Sequence, residues 1–259
     1  MELSCCIWAL SGSVKKILPQ IANVGFKYID IQPFVFTHDA IQTYMHHFNL
    51  QVSCLATSFG IPEGLALDSE NELLTAHALN YTKKALTYGK HLGAKVAYLV
   101  PGTDGSPKAL SRYMRSFTSL ADQASKLGIK LCVEHFPGSA FPTVSSTLNF
   151  IQAVDHPNLY LLLDIGHIQI SKEDPVEAIS SAGPKLGYVH LDDNDGQNDL
   201  HWSLTNGVQT ENSLRQIFEA LKKIQYNGHV SLELSANLTN PLEALICSRE
   251  LVLNIISIS

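Results

Sequence analysis

Several features of specialised proteins are scarce in this sequence. Only 16% of the 259 residues are charged, Lys and Arg form no run, and 18 basic against 24 acidic side chains leave a formal net charge of -6. A partner held through its phosphate backbone by counterion release needs a basic footprint, so no nucleic acid is expected and a small molecule is the natural ligand. No apolar run approaches the roughly 20 residues that span a bilayer, and "MELSCCIWALSGSVKK" sets no basic leader before its short apolar stretch. The expectation is no membrane partner and a cytoplasmic protein. The five cysteines (Cys5, Cys6, Cys54, Cys132, Cys247) are odd in number, lack CxxC spacing and mostly fall in apolar runs. That is the pattern of reduced core residues, not of a disulfide framework or a zinc site. Neither a linker nor a low-complexity segment divides the chain, so one domain is expected over residues 1–259.

What the chain does have is a repeated alternation of short apolar runs and longer amphipathic stretches. The runs are "LSCCIWA" (3–9), "KYIDIQ" (27–32), "QVSCLATS" (51–58), "KVAYLV" (95–100), "KLCVEHF" (130–136), "LYLLLDI" (159–165), "LGYVHLD" (186–192) and "HVSLELS" (229–235). Between them lie helix-like segments, the longest at 71–93, with apolar residues at three- and four-residue spacing. Gly25, Gly93, Gly128 and Gly228 each stand shortly before a strand, where a helix C-terminal cap is expected. Strands apolar on both faces and separated by helices form parallel sheets, because parallel neighbours need a crossover. Eight such units in a chain of this length match a closed (β/α)8 TIM barrel. Period alone leaves an open doubly wound sheet as the alternative.

In a parallel barrel the reactive groups gather at the C-terminal ends of the strands. The fifth strand ends at Glu134, the sixth at Asp164 with His167 just beyond, the seventh contains His190, and the eighth contains Glu233. Any one acid at a strand end is more often a capping or salt-bridging residue than a ligand. Four consecutive strands each delivering an ionisable side chain reverse that reading. Three carboxylates and an imidazole brought together repel one another and shift their pKa values unless a cation neutralises them. The expected cation is divalent, and oxygen-rich ligation with one nitrogen suits Mn²⁺, Mg²⁺ or Co²⁺, with Zn²⁺ also compatible.

After the seventh strand, "DDNDGQNDLHWSLTNG" (192–207) is long for a strand-to-helix connection, and long loops on this face carry function. Asp199 and His201 stand two apart, so an extended segment would point both the same way. They form a second cation site, contact substrate, or belong to a solvated Asx-turn loop. Trp8 and Trp202, with Phe34, Phe59 and Phe136, are candidate pocket walls or ordinary packing. His135 is expected to point away from Glu134, and Asp30 and Gln32 end the second strand near the mouth with no role assigned.

Glu at the fifth strand end, Asp-x-x-His at the sixth, His on the seventh, Asp-x-His in the next loop and Glu on the eighth together resemble the xylose isomerase-like TIM-barrel superfamily. That group includes sugar-phosphate isomerases and epimerases, ketose 3-epimerases, inositol-pathway enzymes and the endonuclease IV type of AP endonuclease. The resemblance covers essentially the whole chain. It implies that Glu134, Asp164, His190 and Glu233 hold one divalent metal that chelates a hydroxy-carbonyl sugar. It implies further that Glu134 and Glu233 exchange the proton of the reacting carbon through an enediolate, and that His167 contacts a substrate oxygen. A metal-dependent dehydratase of a sugar- or inositol-derived ketone would share the first half of that mechanism.

Two departures narrow the resemblance. "AYLVPG" has Val100 where the endonuclease branch has a metal-binding histidine, which argues against a DNA-repair enzyme. "HLDDNDGQND" has no Arg or Lys where ketose 3-epimerases commonly place an arginine, which argues against ketose 3-epimerase activity itself and weakens the case for a phosphorylated substrate.

Overall fold

Eight strands form where the eight apolar runs lie, several of them shorter than their runs. The computed structural model describes residues 1–35 and 39–258. In chain order the elements are β1 (Glu2–Cys6), α1 (Val14–Val24), β2 (Tyr28–Ile31), α2 (Asp39–His47), β3 (Gln51–Ala56), α3 (Glu72–His91), β4 (Val96–Leu99), α4 (Pro107–Leu127), β5 (Lys130–Glu134), α5 (Val144–Val154), β6 (Leu159–Asp164), α6 (Ile165–Ser171), α7 (Pro175–Ala182), β7 (Leu186–Leu191), α8 (Glu211–Lys223), β8 (His229–Leu232) and α9 (Pro241–Ile258). Each strand pairs in parallel with the next, and β8 returns to β1 with Leu3 opposite Val230. The barrel is therefore closed, which excludes the open sheet. Among the described residues no helix is long and apolar enough to cross a membrane.

The period-two alternation of each strand sorts its side chains between two separate cores. Leu131, Val133, Leu161, Leu163 and Val189 face the helices. Cys54, Ala56, Val96, Tyr98, Cys132, Leu162 and Tyr188 form a second cluster inside the barrel. Two residues beyond Cys132, Leu162 and Tyr188, the same parity gives Glu134, Asp164 and His190. The last inward position of three neighbouring strands is thus ionisable.

The helices close the outside by ordinary means. In α4, Ser106 caps the first turn by accepting the Ala109 N–H (3.3 Å), and Pro107 occupies a position whose N–H has no helical partner. Tyr113, Phe117, Leu120 and Ala124 fall on one buried stripe, and Gly128 ends the helix in the left-handed region at φ +68°. Gly25 caps α1 in the same way at φ +99°, whereas Leu92 caps α3 and Gly93 follows it at φ +88°. Gly228 caps nothing. A Cβ there would lie 2.4 Å from the Tyr226 hydroxyl, so its smallness admits that ring beside β8. Cys5, Cys6, Cys54 and Cys132 are buried free thiols, and Cys247 is an exposed one.

Candidate active site at the barrel mouth

Two strand ends differ from the sequence expectation in a way that shapes the site. The run at 3–9 leaves the sheet after Cys6, and Ile7–Ala9 form a 3-10 turn that brings Trp8 to the mouth. The run at 229–235 stops pairing as a strand at Leu232, and the Glu233 N–H donates to the Leu191 carbonyl (3.2 Å). Trp8 and Glu233 then meet, with the indole N–H donating to Glu233 Oε1 at 3.0 Å. Phe59 stacks on Trp8 at 5.8 Å, and together they wall one side.

Glu134, Asp164, His190 and Glu233 converge, each offering a ligand atom within 4.8 Å of the others, and all four are buried. His190 Nδ1 is 2.5 Å from Glu233 Oε2, 3.7 Å from Glu134 Oε1 and 3.8 Å from Asp164 Oδ2. It is aligned to donate to none of them, and both it and Asp164 Oδ2 are buried without a hydrogen-bond partner. An orphaned buried polar atom costs about 1–3 kcal/mol, and these two lie 3.8 Å apart, close enough for one cation to satisfy both. The electrostatics agree. Burial pushes the Glu134 carboxyl up, and the His190 imidazole offsets this only in part. Burial also acts to raise Glu233, but the charge of His190 outweighs it and holds that carboxyl well below the ordinary range. His190 is driven far above the usual imidazole value: burial acts against its charge, and Glu233 with the other carboxylates overrides it. One imidazole is balancing three acids. The donor set fits a divalent cation, which would satisfy both orphaned atoms and relieve the acids at once.

A second polar group adjoins the first. His167 Nδ1–H donates to the His135 carbonyl (2.9 Å), which leaves Nε2 buried, without a hydrogen bond and 3.6 Å from Asp199 Oδ1. His201 lies between two acids, Nδ1 2.8 Å from Asp192 Oδ2 and Nε2 3.3 Å from Asp199 Oδ1. Asp199 and His201 do face each other, but not along an extended segment: His201 has φ +48°, a left-handed conformation that is costly for a side chain bearing a Cβ. Buried Asn194 enforces it by accepting the Leu200 and His201 N–H groups at 2.6 and 3.0 Å. Asp193 ties the other end of the loop, accepting from Gly207 and Gln209.

The sequence signals around this second group had a partial meaning. Asp192 was not singled out; it is fully buried, and burial with the nearby Asp164 charge raises its carboxyl. Its signal was its place two residues after an inward-facing histidine. Gly166 is not a turn residue, because α6 begins directly after β6 with Asp164 Oδ1 accepting the His167 N–H (2.9 Å). Its missing Cβ makes room for Asp192, whose Oδ1 would lie 2.1 Å from that carbon.

The remaining expected residues separate cleanly. His135 turns away from the cluster and accepts the Asp164 N–H (3.2 Å); burial, reinforced by the His167 charge, holds it neutral. Phe136 packs edge-on against His167 with centroids 4.5 Å apart. Phe34 packs on Tyr81 and Tyr88 of α3, at 5.5 and 5.2 Å, with φ +60°. Trp202 is half-buried, and its backbone forms an antiparallel bridge with Asp193. Asp30 lies fully buried beneath His190, with Oδ2 3.3 Å from Nε2.

Comparison with known proteins adds an independent line. A family model described as xylose isomerase-like TIM barrel matches residues 18–251. An L-ribulose 3-epimerase of Methylomonas sp. (strain DH-1) is 25% identical over 248 residues, covering 90% of this chain and 82% of the relative. A probable ketose 3-epimerase of Synechocystis sp. is 26% identical over 241 residues, covering 82% and 79%. The crystal structure of a D-allulose 3-epimerase from Methylomonas sp. superposes with a TM-score of 0.81 at 21% identity, covering 99% of this chain and 97% of the other. At that identity the structural likeness is one of fold.

Proposed function

We propose that this chain, which belongs to the xylose isomerase-like TIM barrel family, is a divalent-cation-dependent epimerase of a small, uncharged ketose or ketose-like hydroxy-carbonyl compound. The observation that carries the reading is the convergence of Glu134, Asp164, His190 and Glu233 around orphaned buried atoms at the C-terminal ends of β5 to β8. The ketose 3-epimerase relatives support the substrate class.

Bound among those four side chains, a divalent cation supplies Lewis-acid polarisation of the substrate carbonyl and balances the buried acids. The protein groups do the rest. Glu134 and Glu233 belong to strand ends three places apart around the barrel, so a sugar carbon between them meets one carboxylate on each face. One takes the proton α to the carbonyl, giving an enediolate, and the other returns a proton to the opposite face, which inverts the carbon. The Trp8 N–H holds Glu233 Oε1 in place, fixing the angle from which that carboxylate approaches. His167 Nε2, with Asp199 and His201, meets the substrate's hydroxyl oxygens. Trp8 and Trp202 provide walls that shed water from the reacting carbon.

Incubation with candidate ketoses in deuterated water tests the reading. Wild-type protein loaded with Mn²⁺ should place deuterium at the carbon next to the carbonyl and interconvert the two epimers. Glu134→Gln and Glu233→Gln should each abolish deuterium uptake, and retained uptake would remove that residue from the proton-transfer role. A product lighter by one water would replace epimerisation with dehydration.

A further inference from the structure

We infer that Asp30 is a positioning residue for the cation site: from the opposite side of the barrel it holds His190 with its proton on Nε2 and its Nδ1 lone pair turned to Glu134, Asp164 and Glu233. The inference rests on the cation-binding reading above and extends it to a residue on β2, across the barrel from the four ligands.

An imidazole that ligates through one nitrogen carries its proton on the other, and the partner of that proton decides which nitrogen is free. Asp30 is built to be that partner. Its Oδ1 accepts from Ser53 Oγ at 2.6 Å and Tyr188 OH at 2.5 Å. Its Oδ2 faces His190 Nε2 at 3.3 Å and accepts from the Cys6 thiol at 3.7 Å. The Tyr188 hydroxyl is itself held by Ser4 Oγ at 3.0 Å. A fully buried carboxylate with four donors around it stays ionised. An ionised carboxylate can only accept, so the proton between Asp30 and His190 belongs to Nε2. The ring cannot easily turn away, because Tyr98 and Tyr188 flank it edge-on with centroids at 5.2 and 5.7 Å.

Cys6, Asp30 and His190 also lie close enough to be a metal cluster in their own right. The hydrogen bonding argues against that. Both Asp30 oxygens already have partners, and burial keeps the Cys6 thiol protonated, whereas the orphaned atoms lie on the other side of the imidazole.

A role confined to tying strands together would give Asp30 the same donors, so the test must separate stability from ligation. Metal-stripped protein is titrated with Mn²⁺ against a fluorescent chelator, comparing the unsubstituted chain with Asp30→Asn and Ser53→Ala. Loss of a partner of a ligating imidazole costs about 10–100-fold in metal affinity, so Asp30→Asn should weaken Mn²⁺ binding by that factor. Ser53→Ala removes a donor from the same carboxylate without touching His190; it should lower the melting temperature yet leave Mn²⁺ affinity within about threefold, because the His190 proton keeps its partner. Equal affinity for Asp30→Asn and the unsubstituted chain overturns the inference while leaving the cation site intact. Absence of stoichiometric Mn²⁺ binding by the unsubstituted chain overturns both this inference and the cation reading. Should Asp30→Asn fail to fold, ¹⁵N spectra of the unsubstituted chain loaded with Zn²⁺ decide the matter: His190 ligated through Nδ1 with hydrogen on Nε2 is expected, and ligation through Nε2 overturns the proposal.

Discussion

Replacing Gly166 by alanine sets two opposite effects against each other at one atom. Gly166 is the second residue of α6, and alanine there gains at most the about 1 kcal/mol over glycine seen in a helix interior. Here the added carbon would lie 2.1 Å from Asp192 Oδ1, 2.4 Å from Asn194 Nδ2 and 2.6 Å from Asp192 Oδ2. Neither neighbour has room to withdraw. Both are fully buried, Asp192 is held 2.8 Å from His201, and Asn194 is pinned by the Leu200 and His201 N–H groups. Overpacking costs about 1–3 kcal/mol, and with both neighbours held in place the upper part of that range applies, so the clash wins and the net loss is about 1–2 kcal/mol. For a chain of this size that lowers the melting temperature by about 2–8 °C. Because the displaced groups carry His201 and Asp199, kcat/KM should fall more than the stability loss alone would explain. Differential scanning calorimetry with steady-state kinetics measures both. Asp192→Ala removes two of the three atoms met by the new carbon, so the double substitution should recover much of the loss, as coupled neighbours do. A Gly166→Ala variant as stable as the parent, with unchanged kinetics, would refute the close-approach account.

Saturating Mn²⁺ at about 100 times its dissociation constant should add about 2.7 kcal/mol of stability, and a melting temperature indifferent to Mn²⁺ and to chelator would count against the cation site. In the metal-free protein His167 is pushed up to about 10, burial acting to lower it and the Asp164 charge, with Asp199 and Glu134, raising it further. A raised histidine contributes stability that is complete below its unfolded value near about 6.5 and is lost as pH rises through the folded one. Metal-free melting temperature should therefore decline between neutral pH and about 10, where a flat or rising profile would contradict the assignment. Trp8→Phe deletes the N–H that reaches Glu233 while keeping a ring to stack on Phe59. A hydrogen bond to a charged group contributes about 1.5–3 kcal/mol of stability, so the melting temperature should fall by several degrees at about 2–4 °C per kcal/mol, and kcat/KM should fall with it as Glu233 loses its fixed angle.

The convergence of the four candidate ligands was legible because it obeys a local rule. On β5, β6 and β7 the inward parity set by Cys132, Leu162 and Tyr188 reaches Glu134, Asp164 and His190 two residues later, and period-two reading needs no knowledge of the neighbours. The strand ends were less legible, since pairing stops where the barrel's stagger withdraws a partner: β1 yields to a 3-10 turn at Ile7, and Glu233 falls just past β8. Asp30 could be located at the mouth but given no role. Its contacts are to Tyr188 and His190, 158 and 160 residues away across the barrel interior, and nothing local encodes which strand will face β2. Gly166 comes just after a strand, where glycine usually marks a bend. Its actual constraint is the buried Asp192, whose position is set by a loop that closes on itself through Asn194 and Asp193.

The absence of a basic residue from 190–199 now has a spatial meaning. Asp192 and Asp199 grip His201, and Asp199 also faces His167, so both imidazoles of the second cluster already have a carboxylate partner. Lys172 does approach this loop, but its ammonium is bound to the Gly196 carbonyl. Among the described residues, a phosphate entering the mouth would meet no unpaired cationic side chain and several fixed acids, and repulsion between like charges in a partly desolvated site is not screened as it would be in water. Hydroxyl groups fit this mouth better. They donate to carboxylates and accept from a protonated imidazole, and they bring no charge that must be neutralised. The acidity that demands a cation among the four ligands thus also selects against charged sugars, and the two constraints together favour a neutral polyhydroxy ketone.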